Sequence, residues 1–380
     1  MKKAPLTALV AVALVAVALV AVALVAVALV GGLVLKTLSN AGQFKRIEPH
    51  GVDRCVRVPG VVGAEDITFH PGIGYAYISA DDRRASRGGV SGLANVSRGA
   101  QPPRGAIYRY WPSNPNNPPE NLTASWPGAF HPHGISLYVA PNGDQTLFVV
   151  NHPAPGQNTI ERFTVGPEDN LQHRETIQGP LLVSPNDIAA VNATQFYVTN
   201  DHVTPPGLKH TLEVYLQIGR GEILFYDGKA FTRVHSGLKY ANGIQVTRDG
   251  KTVYAAETIG RNLLRFDRDP KANTLTLQEK VPLGTGVDNI EIDADGALWI
   301  GAHPKMLDFT KHVKDAAEAL AVAGAEGQPG ARGGVGDTGG LPGQRCPALG
   351  VRGGCPIREQ AADRAGVRSA LPGVYTGRCA

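Results

Sequence analysis

The chain has 380 residues, with 37 lysines and arginines against 33 aspartates and glutamates, a formal net charge of +4 at pH 7. So small an excess of positive charge predicts neither a nucleic-acid-binding protein nor a protein with a strongly acidic partner. The 46 glycines and 28 prolines supply the many turns that an all-β protein requires. The four cysteines, Cys55, Cys346, Cys355 and Cys379, have neither CxxC nor zinc-binding spacing.

The amino terminus contains an uncharged stretch from Ala8 to Val30, preceded by Lys2 and Lys3. A secretory h-region is about 7–15 residues long, so this stretch is too long for a simple signal peptide. At 1.5 Å rise per residue it would span about 35 Å, enough to cross a bilayer. We predict that residues 1–36 form an uncleaved signal-anchor, with cleavage after Ala41 as the alternative. Lysines on both sides of the stretch leave its orientation open.

One pattern recurs five times between residues 65 and 303: one or two polar residues, an isoleucine, a short strand, a turn and a second strand. The isoleucines are Ile67, Ile135, Ile188, Ile244 and Ile290, at intervals of 68, 53, 56 and 46 residues. A repeat near 50 residues with several strands in each unit is typical of propeller blades. We therefore predict an all-β propeller over residues 50–312, preceded by the hydrophobic helix.

The polar residues before the isoleucines would ring one end of the propeller's tunnel, because the innermost strand of each blade starts near the axis. Neighbouring residues in a strand point to opposite sides, so a pair such as Asn186-Asp187 can serve two sites. Calcium takes six to eight oxygen ligands. The candidate ligands are Glu65, Asn186, Asn242, Asp288 and Asn289 for one ion, and Asp66 and Asp187 for a second, deeper ion. The alternative, that loops are simply polar, explains one such strand end better than five.

Two histidines occupy equivalent rim positions of one predicted hairpin. His133 stands two residues before Ile135, and His152 follows the strand Leu147–Val150. Histidine is the usual general base near neutral pH. A lone histidine would more often be a packing or surface residue, but the pairing of these two favours a catalytic role.

Two other regions carry weaker signals. Asn95, Asn121 and Asn192 each begin an N-glycosylation sequon, which fits a glycoprotein on the lumenal or extracellular side. Residues 203–220 contain an apolar run that predicts either an inserted amphipathic helix near the tunnel or a blade strand. Residues 313–380 are rich in Ala, Gly and Arg without strand alternation, which predicts a disordered, low-complexity tail and leaves a last blade doubtful.

The ordered set of motifs resembles the paraoxonase/arylesterase family of calcium-dependent six-bladed propellers, which are related to the gluconolactonase-like propellers. The resemblance covers roughly residues 50–310. Its motifs are Ala64-Glu65-Asp66-Ile67, Pro132-His133-Gly134-Ile135-Ser136, Val150-Asn151-His152-Pro153, Asn186-Asp187-Ile188-Ala189-Ala190-Val191, Thr199-Asn200-Asp201-His202, Ala241-Asn242-Gly243-Ile244, Val287-Asp288-Asn289-Ile290 and Trp299-Ile300-Gly301-Ala302-His303-Pro304.

The resemblance implies roles for individual residues. It implies that Glu65, Asn186, Asn242, Asp288 and Asn289 hold a catalytic calcium ion, and that Asp66, Asp187 and the backbone carbonyl of Ile135 hold a structural one. It also implies a catalytic dyad of His133 and His152, with His202 and His303 near the pocket. Family members tie a cysteine near the start to one near the end, for which Cys55 and Cys379 are the candidates here.

The implied function is hydrolysis of aryl esters and lactones, with a small-molecule substrate and with membrane contact through the N-terminal segment. Two alternatives are a non-catalytic, calcium-stabilised binding module and a strictosidine-synthase-like propeller enzyme. The histidine pair argues against a pure binding module. The set of carboxylates and amides argues against the strictosidine-synthase-like enzyme.

Overall fold

The computed structural model describes residues 6–48, 55–86, 103–166, 168–205, 207–314, 322–327 and 375–379. Its first element is helix α1, Leu6–Asn40. Within it, Ala13–Asn40 contains an 18-residue window with a mean hydropathy of 3.2 and no buried residue, so this stretch is long and apolar enough to cross a membrane. A signal sequence near the amino terminus has the same properties, so α1 fits both an anchor and a secretion signal. The helix extends four residues past the predicted segment 1–36.

The strands form five four-stranded antiparallel sheets, each made of consecutive strands, which we number as blades 1 to 5. Blade 1 contains β1 Ala64–Phe69, β2 Ala76–Ala80, β3 Ala106–Tyr110 and β4 Glu120–Asn121. Blade 2 contains β5 Pro132–Val139, β6 Gln145–Ala154, β7 Gln157–Val165 and β8 Leu171–Ile177. Blade 3 contains β9 Pro185–Ala190, β10 Phe196–Asn200, β11 Gly221–Tyr226 and β12 Phe231–Leu238.

The last two blades complete the described sheets. Blade 4 contains β13 Ala241–Val246, β14 Thr252–Glu257, β15 Asn262–Arg268 and β16 Leu275–Pro282. Blade 5 contains β17 Gly286–Ile292, β18 Leu298–His303, β19 Val322–Gly327 and β20 Tyr375–Cys379. The all-β propeller with an apolar N-terminal helix is therefore present. The resemblance implies six blades, but the described ranges contain five sheets, and the sixth blade stays a prediction.

Three short helices accompany the sheets in the described residues. They are α2 Arg83–Ser86, α3 Leu208–Tyr215 and α4 Met306–Lys314. Helix α3 decides between the two predictions for residues 203–220 in favour of an inserted helix. Its first turn follows Gly207 and its last carbonyls accept bonds from the amide of Leu216.

The carboxyl-terminal stretch contributes two strands to blade 5, although it was predicted to be a disordered tail. Strand β19 pairs with β18 and β20 pairs with β19, so the last sheet draws on residues beyond 312. The rest of that stretch, including Cys346 and Cys355, lies outside the described residues, as does the sequon at Asn95. The Cys55–Cys379 disulfide and the remaining domain division stay predictions.

The hydrophobic core lies between neighbouring blades, where the repeated isoleucines pack. Ile188 joins Phe148, Val150 and Phe196 in one cluster that spans blades 2 and 3. Ile244 lies in the next cluster, between blades 3 and 4. The inner strands β1, β5, β9, β13 and β17 contact one another in this order. Ile188 and Ile244 therefore fix the positions of their inner strands relative to the neighbouring blades.

We expect Ile188→Ala to lower the free energy of unfolding by about 2–5 kcal/mol, because it leaves a cavity between two blades. Ile188→Val should cost only about 0.5–1.5 kcal/mol. Urea-induced unfolding, followed by tryptophan fluorescence, measures both. Leu277→Ala is the control, since 42% of Leu277 is exposed. A cost for Ile188→Ala no larger than that of the control would contradict this packing role.

Candidate active site

The polar residues before each isoleucine lie at β-bulges. The pairing register shifts at the same place in all five inner strands: between Ala64 and Ile67, Pro132 and Ile135, Pro185 and Ile188, Ala241 and Ile244, and Val287 and Ile290. A bulge leaves one residue unpaired and redirects its side chain. Because the bulges coincide with the polar residues, five inner strands direct polar side chains to the same end of the tunnel.

Two glycines allow these strand ends to approach closely. A Cβ on Gly134 would overlap with the backbone and carboxylate of Asp187, and one on Gly243 would overlap with the backbone of Asp288 and Asn289. Each glycine directly follows a bulge residue of one blade and faces the polar pair of the next blade. Only glycine fits at these two positions, because neighbouring blades approach so closely at the tunnel mouth.

The outer set of predicted ligands is brought together and is buried. Glu65, Asn186, Asn242, Asp288 and Asn289 are each at most 6% exposed. In the described part of the chain, the carboxamide oxygens of Asn186, Asn242 and Asn289 have no hydrogen-bond partner. A buried polar atom without a partner costs about 1–3 kcal/mol. Three such oxygens from three blades indicate a site for a ligand that binds to amide oxygens, such as a cation.

The orientation of two of these amides follows from their neighbours. Thr258 donates its hydroxyl proton to the carbonyl of Val287 (2.7 Å) and therefore accepts a bond from Nδ2 of Asn242 (3.0 Å). Asn289 donates from Nδ2 to the carbonyl of Glu65 (3.0 Å), which links blade 5 to blade 1. With each NH₂ group engaged, each carboxamide oxygen is left to face the ligand.

The two acids of the outer set contact cationic or imidazole groups. Glu65 pairs with Arg83 of α2 through one oxygen and lies 3.2 Å from Nε2 of His133 through the other. Asp288 lies 2.7 Å from Nε2 of His303, whose ring stacks on Phe309. Two carboxylates and three amide oxygens are the hard donors that calcium prefers. No three His, Cys, Asp or Glu side chains within the described ranges form a metal site by themselves, so the amides are essential to this candidate.

The two inner aspartates connect neighbouring blades. Asp66 accepts bonds from the amides of Ile67 (2.9 Å) and Ile135 (2.8 Å). Asp187 does the same with the amides of Ile188 (2.8 Å) and Ile244 (2.7 Å). Each carboxylate therefore binds its own strand and the inner strand of the next blade. The predicted contribution of the Ile135 carbonyl to a second ion stays a prediction.

Burial leaves the inner acids with a charge that the metal-free chain does not balance. Desolvation, followed by repulsion from Glu65 and Asp288, raises the pKa of Asp66 to about 7 against two opposing backbone hydrogen bonds. Desolvation and repulsion from Asp66 raise the pKa of Asp187 well above its ordinary value. The same two causes raise the pKa of Glu291, on β17, to about 8. A bound cation would offset these charges, so the residues present fit a second calcium ion.

The histidines predicted as a dyad are in contact. Nδ1 of His133 lies 3.0 Å from Nε2 of His152, and Nδ1 of His152 lies 2.7 Å from Oδ1 of Asn158. With the contact of His133 to Glu65, these groups form a continuous chain from the outer ligand set into blade 2.

A cavity of about 370 Å³ covers this site. Its polar lining residues include His133, Asn186, Asn242 and His303, and most of the lining surface is apolar. The walls include Val214 and Tyr215 at the end of α3, Met306 and Phe309 of α4, and Thr37, Asn40 and Ala41 at the end of α1. The structure therefore brings the carboxyl-terminal end of the apolar helix to the mouth of the tunnel.

Comparison with known proteins agrees with the motifs. The arylesterase family model matches residues 123–325. Serum paraoxonase/arylesterase 2 of Rattus norvegicus is 34% identical over 278 residues, which cover 68% of this chain and 72% of that protein. The chain belongs to the arylesterase family. Serum paraoxonase/arylesterase 1 of Homo sapiens is 31% identical over 283 residues, covering 69% and 72%.

Among solved structures, regucalcin of Agrobacterium tumefaciens, described as a calcium-binding protein, is similar with a TM-score of 0.42 and 13% identity. The match covers 71% of this chain and 72% of that one. The arylesterase family model and the two serum paraoxonase/arylesterase relatives confirm the family resemblance drawn from the sequence motifs.

The two further histidines of this arylesterase-family chain differ in position. His303 lines the cavity, but His202 does not. His202 pairs with Asp201 and stacks against His210 of α3, with ring centroids 4.1 Å apart. Burial acts to lower the pKa of His202, but the hydrogen bond and charge of Asp201 outweigh it and raise the pKa. His202 therefore lies beside α3.

Sequence reasoning missed three residues of the site: Arg83, Asn158 and Glu291. Arg83 lies outside the repeated motifs, and no local pattern assigns it to Glu65. Glu291 directly follows the repeated Ile290, so alternation along β17 could have placed it on the tunnel side. Asn158 stands one residue before Thr159, which pairs with Asn151, so the hairpin register could have placed it opposite His152.

We expect Asp187→Ala to destabilise the fold more than Asn186→Ala. The first change leaves the buried amide of Ile244 without its acceptor, at a cost of about 1–3 kcal/mol, whereas the second removes an oxygen that bonds to no protein donor. Urea-induced unfolding of the two neighbouring variants in excess calcium is the measurement. Equal losses of stability would argue against distinct roles for the two residues.

The raised pKa values predict how the stability of the fold depends on pH after a chelator has removed calcium. Asp66 and Glu291 have folded-state pKa values of about 7 and about 8, above their ordinary values of 3.8 and 4.5. The folded state then binds more protons than the unfolded state, so their contribution is fully present below about pH 4 and is lost as the pH rises to about 8. Melting temperatures from pH 5 to 8 test this.

Glu291→Gln should make the melting temperature fall less steeply as the pH rises. Saturating calcium should also make this fall smaller. A melting temperature that is independent of pH in the chelated wild-type chain would contradict the proposed charge imbalance.

Proposed function

We propose that the chain is a calcium-dependent hydrolase of aryl esters and lactones. One observation carries the proposal. Carboxamide oxygens that have no protein donor belong to residues lining one cavity, and they lie beside a pair of hydrogen-bonded histidines. The names of the related paraoxonases and arylesterases support a hydrolase of carboxylic esters. The cavity volume lies in the range of about 300–1,000 Å³ that is usual for small-molecule sites.

In this proposal, the outer set of Glu65, Asn186, Asn242, Asp288 and Asn289 would hold a catalytic calcium ion. Asp66, Asp187 and the carbonyl of Ile135 would hold a structural one. When bound, the catalytic ion would supply Lewis-acid polarisation of the ester carbonyl and stabilise the negative charge that develops on its oxygen.

The histidines would handle the proton. His133 would accept a proton from the attacking water as the water oxygen bonds to the carbonyl carbon. It would return that proton to the departing alcohol oxygen as the ester C–O bond breaks, so the reaction needs no other co-reactant. His152, bonded to His133, would hold the ring in place and share the charge that it gains. The apolar walls of the cavity, with Tyr215 and Phe309, suit an aromatic or aliphatic substrate group and exclude water from the reacting carbonyl.

We also propose that α1 is retained as a membrane anchor, with the propeller on the lumenal or extracellular side. The support is that Thr37, Asn40 and Ala41 line the cavity and that Asn40 donates to Gln217 beyond α3 (2.8 Å). Cleavage after Ala41 would remove this wall. Mass spectrometry of the amino terminus of the expressed protein decides between an anchor and a cleaved signal.

The function is tested by phenyl acetate hydrolysis with and without a calcium chelator. We expect the chelator to abolish hydrolysis and to lower the melting temperature, because a ligand that binds only the folded state stabilises it. His133→Gln should lower the rate about 10²–10⁴-fold with calcium affinity nearly unchanged, and His152→Gln should have a smaller effect.

Three results would contradict the proposal in different ways. Hydrolysis that persists in the chelator would remove the metal from the mechanism. Loss of calcium in His133→Gln would make this residue a ligand. Calcium binding without hydrolysis of any ester or lactone would favour a calcium-stabilised binding module.

A further inference from the structure

Asn158 lies directly across a hairpin from one of the two histidines. Strands β6 and β7 pair Asn151 with Thr159 and Ala154 with Gln157, with a register shift between the two pairs. Asn158 therefore lies opposite the bulged residues His152 and Pro153, and its side chain contacts His152. Asn158 is partly buried, and neither the sequence motifs nor the family resemblance assigns it a role.

Its neighbours determine which end of the Asn158 amide faces the histidine. Nδ2 donates to the carbonyl oxygens of Leu182 (3.1 Å) and Val183 (2.8 Å). Carbonyl oxygens can only accept hydrogen bonds, so the NH₂ group must point to them. Oδ1 of Asn158 therefore faces Nδ1 of His152 at 2.7 Å, and this assignment follows from chemistry rather than from the shape of the amide group.

The fixed amide determines the tautomers of both rings. Because Oδ1 of Asn158 is an acceptor, Nδ1 of His152 must carry the proton, and the Nε2 of neutral His152 is then an acceptor. Nδ1 of His133, 3.0 Å away, must donate to it. Neutral His133 is then left with its lone pair on Nε2, which lies 3.2 Å from Oε1 of Glu65. That carboxylate oxygen can only accept, so it favours the state in which Nε2 has taken up a proton.

We propose that Asn158 is a positioning residue that fixes the tautomers of His152 and His133, so that the basic lone pair of neutral His133 lies on Nε2. This inference rests on the proposed function, because it explains which nitrogen of His133 would take the proton of water. In the opposite pair of tautomers, Nε2 of His133 would carry a hydrogen and could not accept one.

Asn158 would also support the proton transfer. When the O–H bond of water breaks and an N–H bond forms at Nε2 of His133, the positive charge is shared through Nδ1–H with His152. The amide oxygen of Asn158 accepts the hydrogen bond from His152 and, being neutral, does not take its proton. The proton therefore stays on His133 until it passes to the departing alcohol oxygen.

Asn158 has a second contact, which the experiment must separate from the first. Leu182 and Val183 precede strand β9, which carries Asn186 and Asp187, so losing Asn158 could disturb a ligand-bearing loop. Asn200 is a matched control, because it anchors the same loop through the carbonyl of Leu181 (2.7 Å) and the amide of Ser184 (3.2 Å). It makes no hydrogen bond to His152.

The decisive measurement is long-range ¹H–¹⁵N NMR of the full chain in detergent micelles, labelled with ¹⁵N-histidine, at about pH 8, above the ordinary imidazole pKa. His133→Gln and His152→Gln assign the two rings. We expect the proton on Nδ1 of both rings in the wild-type chain. Asn158→Leu should abolish this preference, whereas Asn158→Asp, which keeps an acceptor, and Asn200→Leu should preserve it.

Kinetics with phenyl acetate give the functional readout. We expect kcat to fall about 10- to 100-fold in Asn158→Leu, a part of the general-base contribution, with KM nearly unchanged. Asn158→Asp should recover most of the loss. Calcium titrations of each variant report separately on the loop that carries Asn186.

Each contrary result has a defined meaning. A proton on Nε2 of either ring in the wild-type chain overturns the proposal. Unchanged tautomers in Asn158→Leu, or an equal change in Asn200→Leu, would assign Asn158 to loop anchoring alone. The expected tautomers in a chain that hydrolyses no ester would leave the positioning of the rings intact and contradict the proposed function instead.

Discussion

The carboxylates of Asp66 and Asp187 are the groups on which both the fold and the site depend. Each accepts hydrogen bonds from the isoleucine amide of its own inner strand and from that of the next blade. Bonds of this kind to an ionised acceptor are stronger than bonds between neutral groups, so they hold blade 1 to blade 2 and blade 3 to blade 4. They also bring buried negative charge to the tunnel, which is costly without a cation nearby. The contacts that join the blades thus gather negative charge at the place where the proposed structural calcium ion would bind.

The bulges explain how one strand end can serve two sites. A regular strand would alternate its side chains between two faces, with neighbouring residues on opposite sides. With a bulge before each isoleucine, Asp187 reaches the amides of two blades while Asn186, one residue earlier, presents its amide oxygen to the cavity. The isoleucine that follows returns the strand to the core. Core packing, blade-to-blade bonding and ligand placement therefore depend on three consecutive residues.

Because three consecutive residues of each repeat determine packing, bonding between blades and ligand placement, part of the site could be predicted from the sequence. The residues that repeat with the blades were recognisable, because the same physical requirement recurs at each inner strand, and the structure brings the five outer candidates together. Arg83 and Asn158 are not part of the repeat. Their roles depend on contacts with Glu65 and with His152 and the Leu182–Val183 carbonyls, which no local pattern encodes.

Helix α3 and the strands of blade 5 show a second limit. The apolar run in residues 203–220 suited a helix or a strand equally, and only its place beside the tunnel mouth decides. Strands β19 and β20 lack the alternation of apolar and polar residues that identifies a half-buried strand. Val322–Gly327 contains small residues at most positions, and Tyr375–Cys379 stands in a Gly-rich stretch. Pairing of β19 with β18 and of β20 with β19 therefore defines these strands, rather than sequence pattern.

The end of the amino-terminal apolar helix forms part of the cavity wall. The end of α1 does not merely precede the propeller, because the amide of Met306 donates to the carbonyl of Ala41 (2.9 Å) and Asn40 bonds to Gln217. Met306 begins α4, and Gln217 follows α3, so both rim helices are held against the end of the apolar helix. A displacement of α1 would then change the walls of the cavity that His133 and Asn242 also line. The rim of the cavity is in this way built from the same segment that is apolar enough to enter a membrane.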